Sequence, residues 1–95
     1  ADRVWQETAR PRLRQAAARL SDLLAHHGLR PAGGTALFQW APTPQACSLH
    51  EALARQGILT RLFTDPTSLR FGLPGVEAEW QRLEAALTAA RRAVA

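Results

Sequence analysis

The sequence predicts one α+β domain, a two-layer sandwich with helices on one face of a three-stranded, mostly antiparallel sheet. Its 95 residues supply a single core, so residues 1–95 are expected to form one domain. Apolar residues recur at helical spacing in three stretches, and strand-forming runs occupy three others. Their order is α-β-α-β-β-α, which is typical of a sheet covered on one side by helices.

The first helix is predicted over residues 1–27, most clearly over 12–27. Its apolar stripe follows spacings of three and four and consists of Leu13, Ala16, Ala17, Leu20, Leu23, Leu24 and His27. Pro11 is expected to begin or kink the regular part, with Trp5 in an approach segment before it. Gly28 is predicted to end the helix as a C-cap residue.

Three strands are predicted. The Gly33–Gly34 pair marks a loop that leads into the first strand, at 35–40, which is rich in strand formers. The second strand, 58–63, and the third, 68–73, form an antiparallel hairpin around the turn at Asp65–Pro66. The first and second strands are joined through a helix and should be parallel. The third strand is therefore expected between them, antiparallel to both.

The other two helices lie between and after these strands. The second helix has two possible starts, one with Thr43–Pro44 as N-cap and first turn, the other at a capping box of Ser48 and Glu51. Gly57 is expected to end it. The last helix is predicted over 76–93, where acidic residues near the start and arginines near the end suit the helix dipole.

The third strand carries the candidate functional residues. Strand side chains alternate between two faces, so Leu69, Phe71 and Leu73 should meet the helices. Arg70 and Gly72 should then lie on the open face of the sheet. A guanidinium binds a carboxylate through two parallel hydrogen bonds, and a glycine beside it leaves room for a group to approach. We therefore predict a carboxylate-binding arginine that faces a cleft. A solvated arginine, or an ion pair with a nearby Asp or Glu, is the alternative.

The charge invites a nucleic-acid interpretation, because the formal net charge is +4. All 12 basic residues are arginine, however, and they are scattered among alanines and leucines. The one cluster, Arg10, Arg12 and Arg14, is predicted to be a solvated helix face. Because the chain contains no lysine, it cannot form a Schiff base with an aldehyde cofactor.

Compartment and metal binding are constrained by a few residues. No apolar run approaches the ~20 residues of a membrane span, and the polar N-terminus shows no signal peptide. Cys47 is the single cysteine, which excludes an internal disulfide and fits a reducing, cytoplasmic compartment. We expect Cys47 to be buried. No metal site is predicted, because His26 and His27 are adjacent and diverge, and Cys47 and His50 are only two ligands.

Three segments carry a resemblance to a known family: GGTALF at 33–38, GILTRLF at 57–63 and LRFGLPG at 69–75. With these segments in this order and spacing, the chain resembles the C-terminal small domain of fold-type I pyridoxal-phosphate (PLP) enzymes of the class I/II aminotransferase superfamily. Within that superfamily it resembles the cobalamin-biosynthetic threonine-phosphate decarboxylases, relatives of histidinol-phosphate aminotransferase. The resemblance covers essentially the whole chain.

The resemblance implies roles for three residues. Arg70 would bind the α-carboxylate of an amino-acid phosphate substrate, and Gly72 would provide clearance. Arg61 matches the family's GI..R.F pattern and would line the cleft or orient the domain. No catalytic, cofactor-binding or metal-binding residue is expected here. In the family the Schiff-base lysine, the aspartate to the pyridine nitrogen and the phosphate-binding groups belong to a large domain that this chain lacks.

The resemblance also implies partners and a reaction. The expected partners are the large PLP-binding domain and the substrate, in a homodimeric parent enzyme without membrane or nucleic-acid contacts. The implied reaction is decarboxylation of L-threonine O-3-phosphate to aminopropanol phosphate, a lyase step. Aminotransferase chemistry stays open, because the residues that select the bond lie in the large domain. The 95-residue chain alone is expected to catalyse nothing.

The alternative function is a non-catalytic basic module that contacts nucleic acid or a protein partner through the open sheet face. Small α+β domains bind RNA through aromatic side chains on strands, and the open face of the third strand carries none. Arginines clustered on the sheet, rather than scattered over the helices, would favour this alternative.

Overall fold

The computed structural model describes the backbone of residues 2–94 and the side chains of residues 10–94. The elements in chain order are α1 (Asp2–His26), β1 (Gly33–Gly34), β2 (Phe38–Pro42), α2 (Ala46–Arg55), β3 (Arg61–Thr64), β4 (Thr67–Gly72) and α3 (Glu77–Val94). The predicted α+β class is confirmed, with one strand more than expected. Over residues 2–94, no helix combines the length and the apolarity needed to cross a bilayer.

The strands form one antiparallel sheet in the order β1-β2-β4-β3. The predicted third strand, β4, lies between the predicted first and second strands, β2 and β3, and is antiparallel to both. This confirms the predicted topology. Because β4 lies between β2 and β3, its side chains have strand neighbours on both sides.

The prediction of three strands is wrong, because Gly33–Gly34 is not a loop but pairs with β2 as strand β1. The first predicted strand is also shifted, since a tight turn at Thr35, whose N–H donates to the Phe38 carbonyl at 2.9 Å, precedes β2. A Cβ at Gly34 would lie 2.5 Å from the Phe38 carbonyl oxygen. Close backbone approach therefore requires glycine here, and the low strand propensity of glycine conceals such a strand from pattern analysis.

Glycines end α1 and α2 as predicted. Gly28 and Gly57 adopt the left-handed conformation, with φ of +78° and +82°. After Gly28, the Leu29 N–H donates to the Leu24 carbonyl at 2.8 Å. This is the long-range bond of the Schellman motif, in which a glycine turns the chain and the next residue closes the last helical turn.

The same motif explains why β3 starts later than predicted. After Gly57, the Ile58 N–H donates to the Leu53 carbonyl at 2.9 Å, which ties Ile58 to the end of α2. The predicted strand 58–63 is therefore β3 at Arg61–Thr64. Alternation alone could not reveal that the first apolar residues of this run belong to the helix terminus.

The helix predicted over 1–27 is observed as α1, whereas α2 starts at neither of its two predicted positions. α1 continues through Pro11 from Asp2, and the side chain of Trp5 lies outside the described residues. The predicted start of α2 at Ser48 is wrong, because the helix begins at Ala46 and Gln45 occupies the N-cap without a side-chain capping bond. The Thr43 hydroxyl instead accepts a hydrogen bond from the Gln45 N–H at 3.2 Å.

The core lies between the three helices and one face of the sheet. Its fully or nearly buried apolar residues are Leu20, Leu24, Leu29, Ala41, Ala46, Leu49, Ala52, Leu53, Leu69, Phe71, Trp80, Leu83, Ala86, Leu87 and Ala90. Leu69 and Phe71 are 0% and 1% exposed, and Leu73 is half-buried against the same cluster. The predicted core face of the central strand is confirmed.

An ion pair joins α1 to the start of α3. Two nitrogens of the Arg19 guanidinium donate to the Glu77 carboxylate, at 2.8 and 2.7 Å. The guanidinium carbon also lies 4.3 Å from a ring centroid of Trp80. The hydrogen bonds from Arg19 hold the pKa of Glu77 below its usual value. Both side chains are exposed, so salt will weaken this contact.

When the pH is lowered, we expect the Tm of the Glu77→Gln variant to fall by less than the Tm of the unmodified chain. A carboxylate whose pKa is depressed by folding stabilises the protein above its unfolded pKa of about 4.3, and this contribution is lost as the pH falls through the folded pKa. The measurement is Tm between about pH 6 and about pH 2, at low salt. The control is Glu51→Gln, which removes an exposed carboxylate of α2 that has no ion-pair partner in the described residues; its Tm should fall as much as that of the unmodified chain. Identical acid sensitivity of the Glu77→Gln variant would contradict the prediction.

Candidate functional site

The face of the sheet opposite the core is left open by the helices. Residues paired across antiparallel strands lie on the same face, so the register identifies its members. β4 contributes Ser68, Arg70 and Gly72, β2 contributes Phe38, Trp40 and Pro42, and β3 contributes Arg61 and Phe63. Arg70 and Gly72 therefore lie on the predicted face. Ser68 is fully buried even on this side, and its hydroxyl donates to the Pro66 carbonyl at 2.9 Å.

Arg70 lies at the centre of this open face. It is directly opposite Trp40 on one side and Arg61 on the other. Its side chain is half-buried, and the guanidinium carbon lies 4.7 Å from the centroid of the Phe38 ring. Within residues 10–94 the ion pair between Arg19 and Glu77 is the only one. The alternative of a local ion pair for Arg70 therefore has no support in the described part of the chain.

Arg61 shares the face with Arg70. It is exposed, and its guanidinium carbon lies 5.5 Å from the centroid of the Phe63 ring. Like charges directly opposite each other on neighbouring strands destabilise a sheet. The Arg61–Arg70 pair therefore does not stabilise the sheet, and two positive charges on one face are suited to binding an anion.

Gly72 is the next residue of β4 on the open face, opposite Phe38. A Cβ built on Gly72 would meet nothing within 4 Å, and its φ is outside the left-handed range that requires glycine. Neither the backbone nor a described neighbour explains the absence of a side chain. The space beside Arg70 is open in this domain.

The open face is more aromatic than the sequence predicts. The central strand carries no aromatic residue on this side, as expected, but the neighbouring strands place Phe38, Trp40 and Phe63 on it. All three are half-buried. The pairing of β2 and β3 with β4 is what places these three rings on the same face as Arg70, and alternation along a single strand does not show it.

An open cleft of about 320 Å³ lies at the end of β4, and neither Arg70 nor Arg61 is among the residues that line it. Among its lining residues are Gly72, Leu73, Leu59 and Arg82. Leu59 is 86% exposed, and Leu37 and Val76 are also exposed large apolar residues. Leu37 is close to this end of β4, since its carbonyl accepts the Leu73 N–H at 3.1 Å. The end of the sheet nearest Gly72 is therefore open and apolar.

Cys47 and His50, the pair weighed as metal ligands in the sequence, lie on α2. Cys47 is exposed, so its predicted burial is wrong: position 47 lies on the solvent side of α2, one residue from buried Ala46. The Nδ1 atom of His50 lies 2.7 Å from the Thr60 hydroxyl, a contact that ties α2 to the start of the hairpin. In the part of the chain that is described, no group of three His, Cys, Asp or Glu residues could hold a metal ion.

One comparison with known proteins finds a relative over most of the chain. A threonine-phosphate decarboxylase from Pseudomonas aeruginosa is 56% identical to this chain over 86 residues. The match covers 90% of the chain but 26% of that protein, so the chain spans roughly a quarter of the length of this relative. No protein-family model matches the chain. The identity confirms the resemblance that the three sequence segments carry.

Proposed function

We propose that this chain, a segment of the threonine-phosphate decarboxylase type, is the lobe that holds the substrate's carboxylate through Arg70. The observation that carries the proposal is the Arg61–Arg70 pair, opposite each other on the open face with no carboxylate paired to either in the described residues. Two guanidinium groups on one face suit a substrate with two anionic groups. Threonine phosphate, the compound after which this relative is named, carries a carboxylate and a phosphate.

Arg70 is the better placed of the two to orient a carboxylate. Its side chain is half-buried and packs against the Phe38 ring, which restricts the guanidinium before ligand binds. Pre-organisation of this kind lowers the entropy cost of binding and fixes the angle of the bound group. Arg61 is exposed and freer, so we assign it to the second anionic group or to the rim of the substrate site.

The residues present do not fit PLP itself. The chain contains no lysine, so it has no amine for the Schiff base that holds this cofactor. We therefore propose that the cofactor is bound by the remainder of a longer protein, and that the chain alone catalyses nothing. The role of this lobe would be to bind and orient the substrate and to exclude water from the cleft.

The test is made on the full-length protein that contains this chain. We expect it to show the visible absorbance of bound PLP and to release CO2 from threonine phosphate, whereas the 95-residue chain shows neither. Bound PLP without CO2 release, but with keto-acid formation, would replace the decarboxylase by an aminotransferase. A native gene product that ends at these residues and binds no cofactor would overturn the enzymatic proposal.

The nucleic-acid alternative is favoured by the aromatic side chains of the open face but not by the charge distribution. Only Arg61 and Arg70 of the 12 arginines lie on strands, and the others lie on helices or in loops. A nucleic-acid site needs several cations along one surface to neutralise phosphates. Two arginines on the face are enough to bind a small anionic substrate but too few to neutralise the phosphates of a polynucleotide.

The Gly72→Ala variant tests the clearance that we propose beside Arg70. In the 95-residue chain we expect Tm to be unchanged or slightly raised, because the new methyl group meets no atom within 4 Å and alanine restricts the unfolded chain. In the full-length enzyme we expect at least a tenfold fall in kcat/KM, about 1.4 kcal/mol. The control is Ala54→Gly, at an exposed position of α2. Unchanged kcat/KM in the Gly72→Ala enzyme would show that the space is unused.

A further inference from the structure

A second cavity lies on the helix side of the domain, away from the open sheet face. It has a volume of about 140 Å³ and is formed where the end of α1, the start of α2 and the end of α3 meet. The polar side chains in its lining are those of His27, Thr43, Gln45 and Arg91. A neighbouring depression shares His27 and Arg91 and adds Thr88 and Arg92. No Asp or Glu lines either one.

Arg91 is held in place beside this cavity. It donates a hydrogen bond from Nη1 to the His27 carbonyl oxygen, and its guanidinium packs over Gly28. A Cβ at Gly28 would lie 3.0 Å from Nη1, so the absence of a side chain there makes room for the arginine. A guanidinium has five N–H donors. One bond to a carbonyl leaves the others available to a ligand while the charge stays fixed.

His27 brings a polar atom that lacks a partner. The residue is 9% exposed, and its Nε2 atom is buried without a hydrogen bond among the described residues. Buried polar atoms are almost always hydrogen-bonded, since leaving them unpaired costs stability. Burial, followed by the charges of His26 and Arg91, lowers the pKa of His27, and Glu84 opposes this effect. A bound anion would stabilise the protonated ring in this setting.

The segment that leads into α2 adds polar side chains to the lining. Gln45 occupies the N-cap without a side-chain capping bond and lines the cavity together with Thr43. The Ala46 N–H already donates to the Thr43 carbonyl at 3.2 Å, so what α2 offers an anion here is the positive end of its dipole. A single water needs about 10–15 Å³ of such a cavity, so 140 Å³ is sufficient for a small oxyanion.

We propose that this cavity binds a small tetrahedral oxyanion, phosphate or sulfate, between Arg91, the His27 ring and the start of α2. The site is separate from the substrate site, since it lies on the helix side of the sheet. It does not depend on the proposed function of Arg70. Binding would link the ends of three helices and so stabilise the packing behind the sheet.

The test is a titration of the 95-residue chain with inorganic phosphate, followed by NMR of the His27 ring and the Arg91 guanidinium. We expect saturable shifts of both groups and a rise in Tm, with sodium chloride at equal ionic strength as the reference. The Arg91→Gln variant should bind phosphate at least tenfold more weakly. The matched control is Arg92→Gln, because Arg92 lines the neighbouring depression but not the cavity. Its affinity for phosphate should stay within threefold of that of the unmodified chain.

A second variant separates binding from folding. Arg91 also caps α1, so Arg91→Gln could loosen the helix end, whereas His27→Phe keeps a buried ring and removes both ring nitrogens. We expect His27→Phe to remain folded by circular dichroism and to bind phosphate at least tenfold more weakly.

The pH dependence gives an independent readout. With sulfate, whose charge is constant, binding should tighten as the pH falls and His27 becomes protonated. The charged or titratable groups that face this ring are His26, Arg91, Arg92 and Glu84. Equal shifts with chloride, or unchanged phosphate affinity in both the Arg91→Gln and His27→Phe variants, would overturn the proposal.

Discussion

The Phe71→Ala variant is expected to lose about 3–5 kcal/mol of unfolding free energy, the range found when a buried phenylalanine is truncated. Phe71 is 1% exposed and is among the largest fully buried side chains of the domain. It lies on the central strand, so its ring is enclosed by the helices on one side and by the sheet backbone on the other. Truncation would leave a cavity that these rigid neighbours cannot fill. A domain of this size has a total stability of only about 5–15 kcal/mol.

The measurement is urea denaturation of the 95-residue chain at neutral pH. The matched control is Phe63→Ala on strand β3, a half-buried ring on the open face, which should cost about 1 kcal/mol, the usual value for such sites. If Phe71→Ala does not fold, Phe71→Leu provides the comparison, with an expected loss below about 1.5 kcal/mol. Equal losses in the Phe71→Ala and Phe63→Ala variants would show that the two faces of the sheet are equally buried.

The contrast between these two faces explains which parts of the fold the sequence predicts. Alternation around Arg70 identifies the core face correctly. A charged side chain cannot face the apolar core, so the apolar residues on either side of Arg70 must face it instead. The central position of β4 also follows from the sequence, since a hairpin and a helical crossover leave few ways to order three strands. The Schellman glycines, Gly28 and Gly57, are predicted because their conformation is costly for other residues.

The features that the sequence does not predict depend on contacts between distant residues. Strand β1 exists because the backbone of Gly34 fits against Phe38, and glycine has no intrinsic preference for strands. The aromatic part of the open face requires the exact register of β4 with both neighbours, in which Trp40 and Arg61 lie opposite Arg70. The cavity at His27 and Arg91 joins residues that are 64 positions apart. Periodicity identifies each of these residues as buried or exposed but not as neighbours.

The Arg70→Ala variant of the full-length protein is expected to show the largest effect on activity. Removal of one partner of a buried, hydrogen-bonded charge pair costs about 2–5 kcal/mol, which corresponds to a fall in kcat/KM of roughly 30- to 4,000-fold. Most of the loss should be a higher KM for threonine phosphate, because the proposed carboxylate contact exists in the bound substrate. The Arg70→Lys variant should recover only part of the activity, since an ammonium keeps the charge but cannot form the paired hydrogen bonds.

The stability of the same variant distinguishes substrate binding from a structural role. Within the described residues Arg70 has no ion-pair partner, and it lies directly opposite Arg61. Its removal takes away one of two like charges at directly opposite strand positions, together with its packing on Phe38. We therefore expect the free energy of unfolding of the 95-residue chain to change by no more than about 0.5 kcal/mol in the Arg70→Ala variant, as for a surface substitution.

Arg55→Ala, at an exposed arginine in the last turn of α2, is the matched control for both measurements. It should leave kcat/KM and the free energy of unfolding close to those of the unmodified protein. A loss above about 2 kcal/mol in the Arg70→Ala chain would place Arg70 in a structural network, because surface positions rarely cost so much. Unchanged KM in the full-length variant would instead remove Arg70 from the substrate site. Because kcat/KM and unfolding are measured separately, each of these results points to a different role for the same guanidinium.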